Sequence, residues 1–343
     1  MKKSIFVVIP NVNGAEWLAT SIDSVLAQSY KDFDLIIVDN GSLDDSRTII
    51  ESYQAKDDRV RAIFRDKNYG FTGGVNPGME LAIKEGAEFV APFNNDAVAD
   101  KDWLKKLHGC LVKDETLGIA TCKLLHLDGK TIDSTADLYT TWGLPYPRGR
   151  DEPASDKYDQ DTEIFGASGG ASMYRVKMLK KIGVFDQDFF AYYEDIDISF
   201  RAHLAGWKVR YVPESIVYHG QGKTSERMPS GFTTYQYMKN VPMVLVKDVP
   251  GILFWRVAPR LWLAYTLFFA NAFLHGHGSA AFRGWFRGVL LLAKNLAKRR
   301  RIQKSRTVPL DYIWSIMTHD LPPNAHKLRR LRALWRRLTL RRS

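Results

Sequence analysis

Short continuous runs of apolar residues alternate with segments of helical periodicity along the first hundred residues. The apolar runs cover residues 5–9, 35–38, 60–64 and 89–93. A run without polar alternation is typical of a strand that is buried on both faces of a parallel sheet. Between the runs, apolar residues recur at helical spacing, for example at Trp17, Leu18, Ile22, Val25 and Leu26. This alternation predicts an α/β fold with a mostly parallel, twisted sheet and helices on both faces.

Polar residues follow three of these runs directly. They are Asn11 and Asn13 after the first run, Asp39 and Asn40 after the second, and Asn94, Asn95 and Asp96 after the fourth. Ligands of such sheets bind beyond the carboxyl ends of the strands. An acid at a strand end is suited to Mg²⁺ or Mn²⁺, which prefer oxygen ligands. A capped turn before the next helix is the alternative interpretation of residues 94–96.

The pattern of apolar and polar residues is less regular between the second and fourth runs, and again beyond residue 100. Residues 68–78 are rich in glycine and precede a helix predicted over residues 75–84, so they are candidates for close contact with an anionic ligand. Residues 117–127 continue the sheet, and the polar residues 128–163 predict a loop or a small excursion over the site. Residues 164–174, 209–212 and 216–218 predict further strands, the last of which ends at His219. This histidine is either a metal ligand or a side chain satisfied within the fold.

The stretch F-F-A-Y-Y-E-D-I-D-I-S-F-R, residues 189–201, places four aromatic residues directly before Glu194 and Asp195. Aromatic side chains exclude water, and a carboxylate beside them becomes a stronger base or a better cation ligand. Acids also suit the N-terminus of a helix, so a purely structural role is the alternative. Asp197 and Arg201 are four residues apart and predict an ion pair along that helix.

The last hundred residues differ in character from the rest. Residues 252–275 are apolar and aromatic, but Arg256, Pro259 and Arg260 interrupt them, and the uninterrupted residues 261–274 fall short of the roughly 20 residues of a spanning helix. Residues 281–343 carry 17 Lys or Arg and 2 Asp or Glu, so the preceding part has a net charge of −4 within the total of +11. Leu328, Leu331, Leu334, Trp335 and Leu338 are interleaved with Arg, as in a basic amphipathic helix.

These features predict two parts of the chain. Residues 1–240 form the sheet domain, and residues 241–343 form a helical, apolar and basic region. We expect this region to bind an anionic membrane surface, with its apolar helix lying in the interface or buried in a hairpin rather than spanning the bilayer.

Composition narrows the classes of function. Cys110 and Cys122 lack metal-ligand spacing and indicate a reducing compartment, and the N-terminus has no cleavable signal pattern. Residues 10–14 contain no Lys or Arg, which argues against a nucleotidyltransferase with a basic triphosphate loop. The basic tail alone would permit nucleic-acid binding, but the acids and aromatic residues argue against it. A non-catalytic membrane adaptor stays an alternative.

Seven motifs occur in a fixed order along the chain. They are V-V-I-P-N-V-N-G at residues 7–14, V-D-N-G-S at 38–42, N-Y-G-F-T-G-G-V-N-P-G at 68–78, F-N-N-D at 93–96, G-A-S-G-G-A-S-M-Y-R at 166–175, G-V-F-D-Q-D-F-F-A-Y-Y-E-D-I-D-I-S-F-R-A at 183–202 and Y-V-P-E-S-I-V-Y-H at 211–219. Together they resemble glycosyltransferase family 2, the inverting enzymes of the Rossmann-like GT-A fold, and within it the rhamnosyltransferase-like group. The resemblance covers the chain up to about residue 225.

The resemblance implies the transfer of a sugar from a nucleotide diphosphate to a hydroxyl group of a glycan or lipid-linked acceptor in cell-surface polysaccharide synthesis. The donor would be dTDP-L-rhamnose, with a UDP-sugar as the alternative. With the basic C-terminal region, it predicts a cytoplasmic enzyme that is peripheral on the inner face of the cell membrane.

The resemblance also implies a role for each matched residue on the donor side. Asp39 would pair with the N3–H of a pyrimidine. The other donor-binding residues would border the base, ribose and sugar, and they are Pro10, Asn11, Asn13, Asn68, Gly70, Gly73, Gly74 and Asn95. Asp96 would hold Mg²⁺ or Mn²⁺ on the diphosphate, with His219 completing the metal or phosphate site.

On the acceptor side, Asp195 would be the general base, and Glu194 would orient the acceptor or tune Asp195. Three positions depart from the family pattern. Asn94 stands where an acid is common and removes one charge, Val12 replaces a tyrosine near the base, and Pro77 changes the turn into the following helix.

Overall fold

The computed structural model describes residues 3–220, 228–323 and 325. Twelve strands lie within these residues: β1 Ile5–Asn11, β2 Phe33–Asp39, β3 Val60–Phe64, β4 Phe89–Pro92, β5 Ala97–Ala99, β6 Leu117–His126, β7 Ile132–Ser134, β8 Asp137–Tyr139, β9 Pro145–Pro147, β10 Thr162–Glu163, β11 Met173–Arg175 and β12 Lys208–His219. The helices are α1 Ala15–Leu26, α2 Ser46–Gln54, α3 Gly70–Glu85, α4 Trp103–Lys113, α5 Val176–Ile182, α6 Glu194–Leu204, α7 Phe232–Asp248, α8 Gly251–Leu274, α9 Gly278–Leu290, α10 Leu292–Lys304 and α11 Leu310–Ile316.

The central sheet has the strand order β10-β12-β6-β11-β4-β1-β2-β3, with β5 paired to β12 and β7 paired to β6. Strands β4, β1, β2 and β3 run parallel to one another, as do β6 and β12. The short β11 joins the two groups by antiparallel pairs with β4 and β6. The mostly parallel α/β sheet predicted from the sequence is therefore confirmed.

Helices cover both faces of this sheet, because successive side chains of a strand point to opposite sides. On β1, Val7 packs into a cluster with Leu18 of α1 and Leu107 of α4, whereas Val8 packs on the other face with Met79 of α3. Both clusters are closed to solvent, which explains the continuous apolar runs of the central strands.

The glycine-rich stretch differs from the expectation that it is a loop before a helix. Helix α3 already begins at Gly70, and Gly73, Gly74 and Gly78 lie within it. A Cβ at Gly78 would lie 2.5 Å from Cγ1 of Val8, so this glycine allows α3 to pack closely on β1. The glycine at this position allows the helix to pack closely on the sheet. A glycine-rich sequence alone does not distinguish such packing from a loop that binds a ligand.

Three other local predictions change in the structure. Residues 164–174 are not one strand, since only Met173–Arg175 pair with the sheet. The two short strands expected over residues 209–218 are one strand, β12, with a register shift between Val212 and Ile216. Residues 128–163 form the small excursion, with β8 and β9 as a two-stranded sheet beside the main one.

The C-terminal helices pack onto the sheet domain through an apolar cluster of their own. Val241 and Leu245 of α7 and Leu253 of α8 contact the same cluster as Phe200 of α6. The predicted division at residues 240 and 241 falls within α7, so it cuts a continuous helix. The described part of the chain contains one helix, Gly251–Leu274, that is long and apolar enough to cross a membrane by length and composition alone. The predicted amphipathic helix at residues 327–342 lies outside the described residues.

Candidate functional site

A cavity of about 260 Å³ opens at the carboxyl ends of the parallel strands. It is lined from the strand ends by Pro10, Asn11, Asn95 and Asp96, from α3 by Gly70 and Phe71, from the N-terminus of α6 by Glu194 and Asp195, and also by Asn68, Asn94 and His219. The parallel strands bring their polar ends to one edge, which is why residues distant in sequence meet here. Asp96 and Asp195 therefore share one cavity.

The donor-side residues form a hydrogen-bond network under this cavity. The amide of Asn11 donates to Asp39 Oδ1 and to Ser42 Oγ, both at 3.1 Å, and its own Oδ1 accepts from Asn95 Nδ2 at 2.7 Å. Asn40, the residue after Asp39, donates to Asn68 Oδ1 at 3.1 Å. The network fixes the orientations of side chains that face the cavity.

Four of the predicted donor residues do not line the cavity. Asp39 is 4% exposed and lies beneath Asn11. Asn13 is exposed, and its Oδ1 accepts the backbone N–H of Leu43 at 2.7 Å. Gly73 and Gly74 are buried within α3, where a Cβ at Gly74 would lie 3.0 Å from Pro10. Their assigned contacts with a nucleotide stay predictions.

Asp96 and His219 meet because β5 pairs with the end of β12, with Ala97 opposite His219. His219 Nε2 lies 3.1 Å from Asp96 Oδ1, and Nδ1 lies 2.7 Å from Asp133 Oδ2. Burial disfavours the charged ring, but the hydrogen bonds with Asp133 and Asp96 outweigh it and raise the pKa of His219 to about 9. Asp133 is itself buried, with Arg150 at 2.8 Å.

This arrangement fits a divalent cation if the cation displaces the proton between His219 Nε2 and Asp96, because a ligating imidazole must be neutral. Asp96 and His219 face the cavity together, and a carboxylate on the far nitrogen of a histidine is the usual support of a metal-ligating imidazole. No cluster of three or more His, Cys, Asp or Glu with metal-binding geometry occurs among the described residues. As ligands, Asp96 and His219 would leave positions for diphosphate oxygens and water, which would suit Mg²⁺ or Mn²⁺.

The acid pair lies in the first turn of α6, and Asp195 faces a third carboxyl group. Burial raises the pKa of Asp195, although the N–H of Ile196 at 2.8 Å and a hydrogen bond with Asp137 stabilise its carboxylate. Burial and the charge of Asp195 raise the pKa of Asp137 well above its usual range. Of the two carboxyl groups, Asp137 is therefore the one that holds a proton more readily, and its hydrogen bond with Asp195 favours the carboxylate form of Asp195.

Glu194 is 5% exposed, and burial together with the charge of Asp195 raises its pKa well above the usual range. Its Oε2 has no hydrogen-bond partner among the described residues. The predicted ion pair behind it is confirmed, because Arg201 Nη2 lies 2.8 Å from Asp197 Oδ2 and both side chains are buried. Asp197 and Arg201 therefore have a structural role.

An aromatic wall closes the acceptor side of the cavity. We call residues 189–193 the aromatic loop; its members Phe190 and Tyr192 line the cavity together with Phe232 of α7. Phe232 packs against both rings, with centroid distances of 6.1 and 6.2 Å. Such a wall favours the face of a sugar ring or another apolar surface and excludes water from the acids.

Sequence reasoning missed Asp133 and Asp137, and it gave Asn40 a place at a strand end but no role. Asp133 and Asp137 lie in the excursion of residues 128–163, on β7 and β8, and only the pairing of β7 with β6 brings Asp133 beneath His219. Two acids four residues apart in a polar segment carry no distinctive signal. Asn40 follows Asp39 directly and lay within a quoted motif, so its place at the strand end was the available clue.

The sheet, its helices and a cavity with acids at two sides define a nucleotide-binding class of α/β proteins. A family model described as "Glycosyl transferase family 2" matches residues 6–183, more than half of the chain, and one described as "Glycosyl transferase family group 2" matches residues 162–322. The chain belongs to glycosyl transferase family 2.

The chain is 30% identical over 217 residues to an uncharacterized glycosyltransferase of Nostoc sp. strain PCC 7120, covering 63% of this chain and 64% of that relative. It is 28% identical over 133 residues to the putative teichuronic acid biosynthesis glycosyltransferase TuaG of Bacillus subtilis, covering 38% of this chain and 52% of the relative. The chain thus spans less than two thirds of the length of these relatives.

Solved structures establish the GT-A fold. Residues 1–349 of S. aureus TarS in complex with UDP-GlcNAc superpose with a TM-score of 0.57 at 16% identity, covering 88% of this chain and 90% of that one. The mannosyltransferase PcManGT of Pyrobaculum calidifontis, in complex with GDP-Man and Mn²⁺, superposes with a TM-score of 0.52 at 15% identity, covering 89% and 86%.

Proposed function

We propose that this protein is an inverting, metal-dependent glycosyltransferase that moves a sugar from a nucleotide diphosphate to a hydroxyl group of a glycan or lipid-linked acceptor in cell-surface polysaccharide synthesis. The observation that carries the proposal is the shared cavity of Asp96 and Asp195. The leaving diphosphate and the acceptor hydroxyl meet at one anomeric carbon, so the group that binds the diphosphate and the base that deprotonates the hydroxyl must line the same cavity. Membership of the family and the similarity to TuaG support the reaction and the setting.

Asp195 takes the proton of the acceptor hydroxyl while the hydroxyl oxygen bonds to the anomeric carbon and the bond to the diphosphate breaks. The raised pKa of Asp195 makes it a stronger base than an exposed carboxylate. Attack from the face opposite the leaving group inverts the anomeric centre in one displacement, so one base suffices. Asp137 orients the carboxylate through its hydrogen bond, and Glu194 faces the acceptor from the same cavity.

Asp96 and His219 hold Mg²⁺ or Mn²⁺ in this proposal, and Asp133 keeps the imidazole oriented. The bound cation supplies positive charge against the departing diphosphate. We propose dTDP-L-rhamnose as the donor and a UDP-sugar as the alternative. Thymine and uracil both present an N3–H, so an Asp39 contact would accept either base.

A thermal-shift panel tests the proposal directly. Wild-type protein is heated with dTDP-rhamnose, UDP-sugars and GDP-mannose, each with and without Mn²⁺ or Mg²⁺. We expect one pyrimidine-linked donor to raise the melting temperature and the cation to increase that shift. Asp96→Ala should lose the cation-dependent part, whereas Asp58→Ala, an exposed acid on another surface, should behave as wild type. No shift with any nucleotide sugar would contradict the proposal.

Peripheral membrane binding is the second part of the proposal. Fourteen large apolar side chains between Ile252 and Leu296 are exposed, among them Trp255 at 74% and Leu274 at 80%. Residues 249–310 contain 11 Lys or Arg and no Asp or Glu. An apolar and cationic surface favours an anionic lipid headgroup layer. In this proposal, binding through this surface would bring the protein to a membrane that carries lipid-linked acceptors.

Liposome sedimentation tests this surface. Wild-type protein should sediment with vesicles that contain anionic phosphatidylglycerol and much less with neutral phosphatidylcholine vesicles. The triple change Phe282→Ser, Trp285→Ser and Phe286→Ser, at exposed positions of α9, should reduce sedimentation severalfold. Val112→Ser, an exposed apolar position on α4, is the control. Equal sedimentation of all three proteins would contradict membrane binding through this surface.

A further inference from the structure

The aromatic loop before the acid pair has a strained backbone. Phe190, Tyr192 and Tyr193 have φ angles of +64°, +68° and +71°. This is the left-handed region, which residues with a Cβ adopt only where the surrounding structure holds them there. Three such residues within four positions, two of them lining the cavity, require a specific support.

A single buried amide supplies most of that support. Asn240 of α7 is fully buried, and its Nδ2 lies 3.1 Å from the carbonyl oxygen of Phe189 and 2.8 Å from those of Ala191 and Tyr192. These carbonyls belong to a loop without a regular hydrogen-bond ladder, so they need side-chain partners when buried. Asn240 gathers the three of them around one nitrogen, which fixes the curvature of the loop.

Lys239, the preceding residue, extends the same contact. Its Nζ donates to the carbonyl oxygens of Asp188 and Phe189, both at 3.0 Å. Lys239 is 4% exposed. Burial and the nearby charge of Arg287 lower the pKa of Lys239 to about 8, and the two carbonyl oxygens are hydrogen-bond acceptors of its buried Nζ.

The opposite side of the loop contacts the donor half of the cavity. The backbone N–H of Thr72 donates to the carbonyl oxygen of Phe190 at 3.2 Å. A Cβ at Gly70 would lie 2.6 Å from Cγ of Phe190, so the first turn of α3 and the loop are in the closest contact that the backbone allows. The loop is thus fixed between α3, which borders the donor, and α7, which belongs to the C-terminal helices.

We infer that Asn240, supported by Lys239, is a positioning residue that holds the aromatic loop and thereby sets the place of Asp195 and the aromatic wall for the acceptor. This inference rests on the proposed function. It gives α7 a part in the reaction, in addition to any membrane contact of the helices that follow it. Asp195 lies only two residues after Tyr193, so a change in the curvature of the loop moves the carboxylate of Asp195 directly.

The test compares two buried asparagines. Asn240→Leu keeps the side-chain size and removes the N–H donors. Asn295→Leu is the control, because Asn295 is also buried, on α10, and its Oδ1 has no hydrogen-bond partner among the described residues. The readouts are the kcat and KM for hydrolysis of the nucleotide sugar that the panel identifies, with water as the acceptor, and the melting-temperature shift that this donor causes.

We expect Asn240→Leu to lower kcat by about tenfold or more, since misplacement of a reacting group by a fraction of an ångström has effects of this size. The donor KM and the donor-induced shift should stay within about twofold of wild type, because the donor contacts lie on α3 and the strand ends. Asn295→Leu should keep kcat within about twofold of wild type, because it leaves the hydrogen bonds of Asn240 to the loop in place.

Three results would overturn the inference. They are a kcat of Asn240→Leu within twofold of wild type, an equal loss of kcat in Asn295→Leu, or a parallel loss of donor binding. If Asn240→Leu does not fold, Lys239→Met, which removes only the two ammonium contacts, should lower kcat by about threefold or more, and an unchanged kcat there would overturn the inference as well. Absence of any turnover by the wild type would instead contradict the proposed function itself.

Discussion

Gly70→Ala tests the close contact between the donor and acceptor halves of the cavity. Gly70 has a φ of +76°, and an added Cβ would lie 2.6 Å from Cγ and 2.7 Å from Cδ1 of Phe190, and nearer still to its carbonyl oxygen. Ordinary contacts begin near 3.4 Å, so either α3 or the aromatic loop has to move by about 1 Å. The strained conformation of the alanine adds about 1–2 kcal/mol of destabilisation.

A displacement of about 1 Å at a reacting group reduces the rate by roughly 100-fold. We therefore expect Gly70→Ala to lower kcat/KM for the identified donor by about that factor, with a drop in melting temperature of a few degrees. Gly109→Ala is the matched control, since a Cβ at Gly109 on α4 has no neighbour within 4 Å. It should leave activity unchanged and stabilise the protein by about 0.5–1 kcal/mol.

Steady-state kinetics and thermal denaturation of the two alanine variants give the answer. Full activity of Gly70→Ala, with a melting temperature equal to that of wild type, would refute the account of a tight contact between Gly70 and the loop. A loss of activity in Gly109→Ala of the same size would show that the assay reports general damage.

Two other predictions follow from the buried charges. Asp137→Leu removes the side chain that donates a hydrogen bond to Asp195, so the pKa of Asp195 should rise and the acid limb of the pH profile of kcat/KM should move to higher pH. Asp137→Asn keeps a hydrogen-bond donor and should leave the acid limb where it is in the wild type, and equal pH profiles for the two variants would contradict this prediction. Lys247→Met removes the buried ammonium whose Nζ lies 2.6 Å from Asp186 Oδ2, and it should lower the free energy of unfolding by about 3–5 kcal/mol. Arg47→Met removes an exposed ion pair and should lower the free energy of unfolding by about 0.5 kcal/mol or less. Although burial opposes it, the Lys247 charge holds the pKa of Asp186 well below its usual value, so this stabilisation is complete at neutral pH, begins to decline as the pH falls below about 4, and is lost only as the pH approaches the depressed pKa of the folded state. Chemical denaturation of the wild type and of Lys247→Met at about pH 7 and about pH 3 checks both, and a stability difference between these two proteins that does not narrow in acid would contradict the pairing.

The sequence predicted those parts of the site that depend on strand ends. Apolar runs mark parallel strands, and such strands share one edge, so the meeting of Asn11, Asn95 and Asp96 follows from the pattern alone. His219 was a candidate because it ends a predicted strand, and the family motif favoured a metal or phosphate site over a histidine satisfied within the fold. Asp133 and Asp137 were not predicted because their burial arises from the pairing of β7 with β6 and from contacts across the excursion, which no local pattern contains.

The start of helix α3 was not predicted either, because it also depends on contacts between distant parts of the chain. The sequence indicates that the glycine-rich residues 68–78 precede a helix and contact a ligand, because glycine lets the backbone approach a ligand closely. Glycine also usually weakens a helix. The glycines of residues 70–78 lie in α3 since tertiary packing on Val8 and Pro10 compensates for that weakness. The support of the aromatic loop by Asn240 joins residues about fifty positions apart and leaves no trace in the sequence around either.

Turnover by Asp195→Asn, measured together with donor binding, tests the central claim most directly. The amide keeps the size of the side chain but cannot accept the acceptor's proton. The account predicts that the donor-induced thermal shift persists and that transfer falls by at least about 100-fold. Turnover within about threefold of wild type would show that Asp195 is not the base.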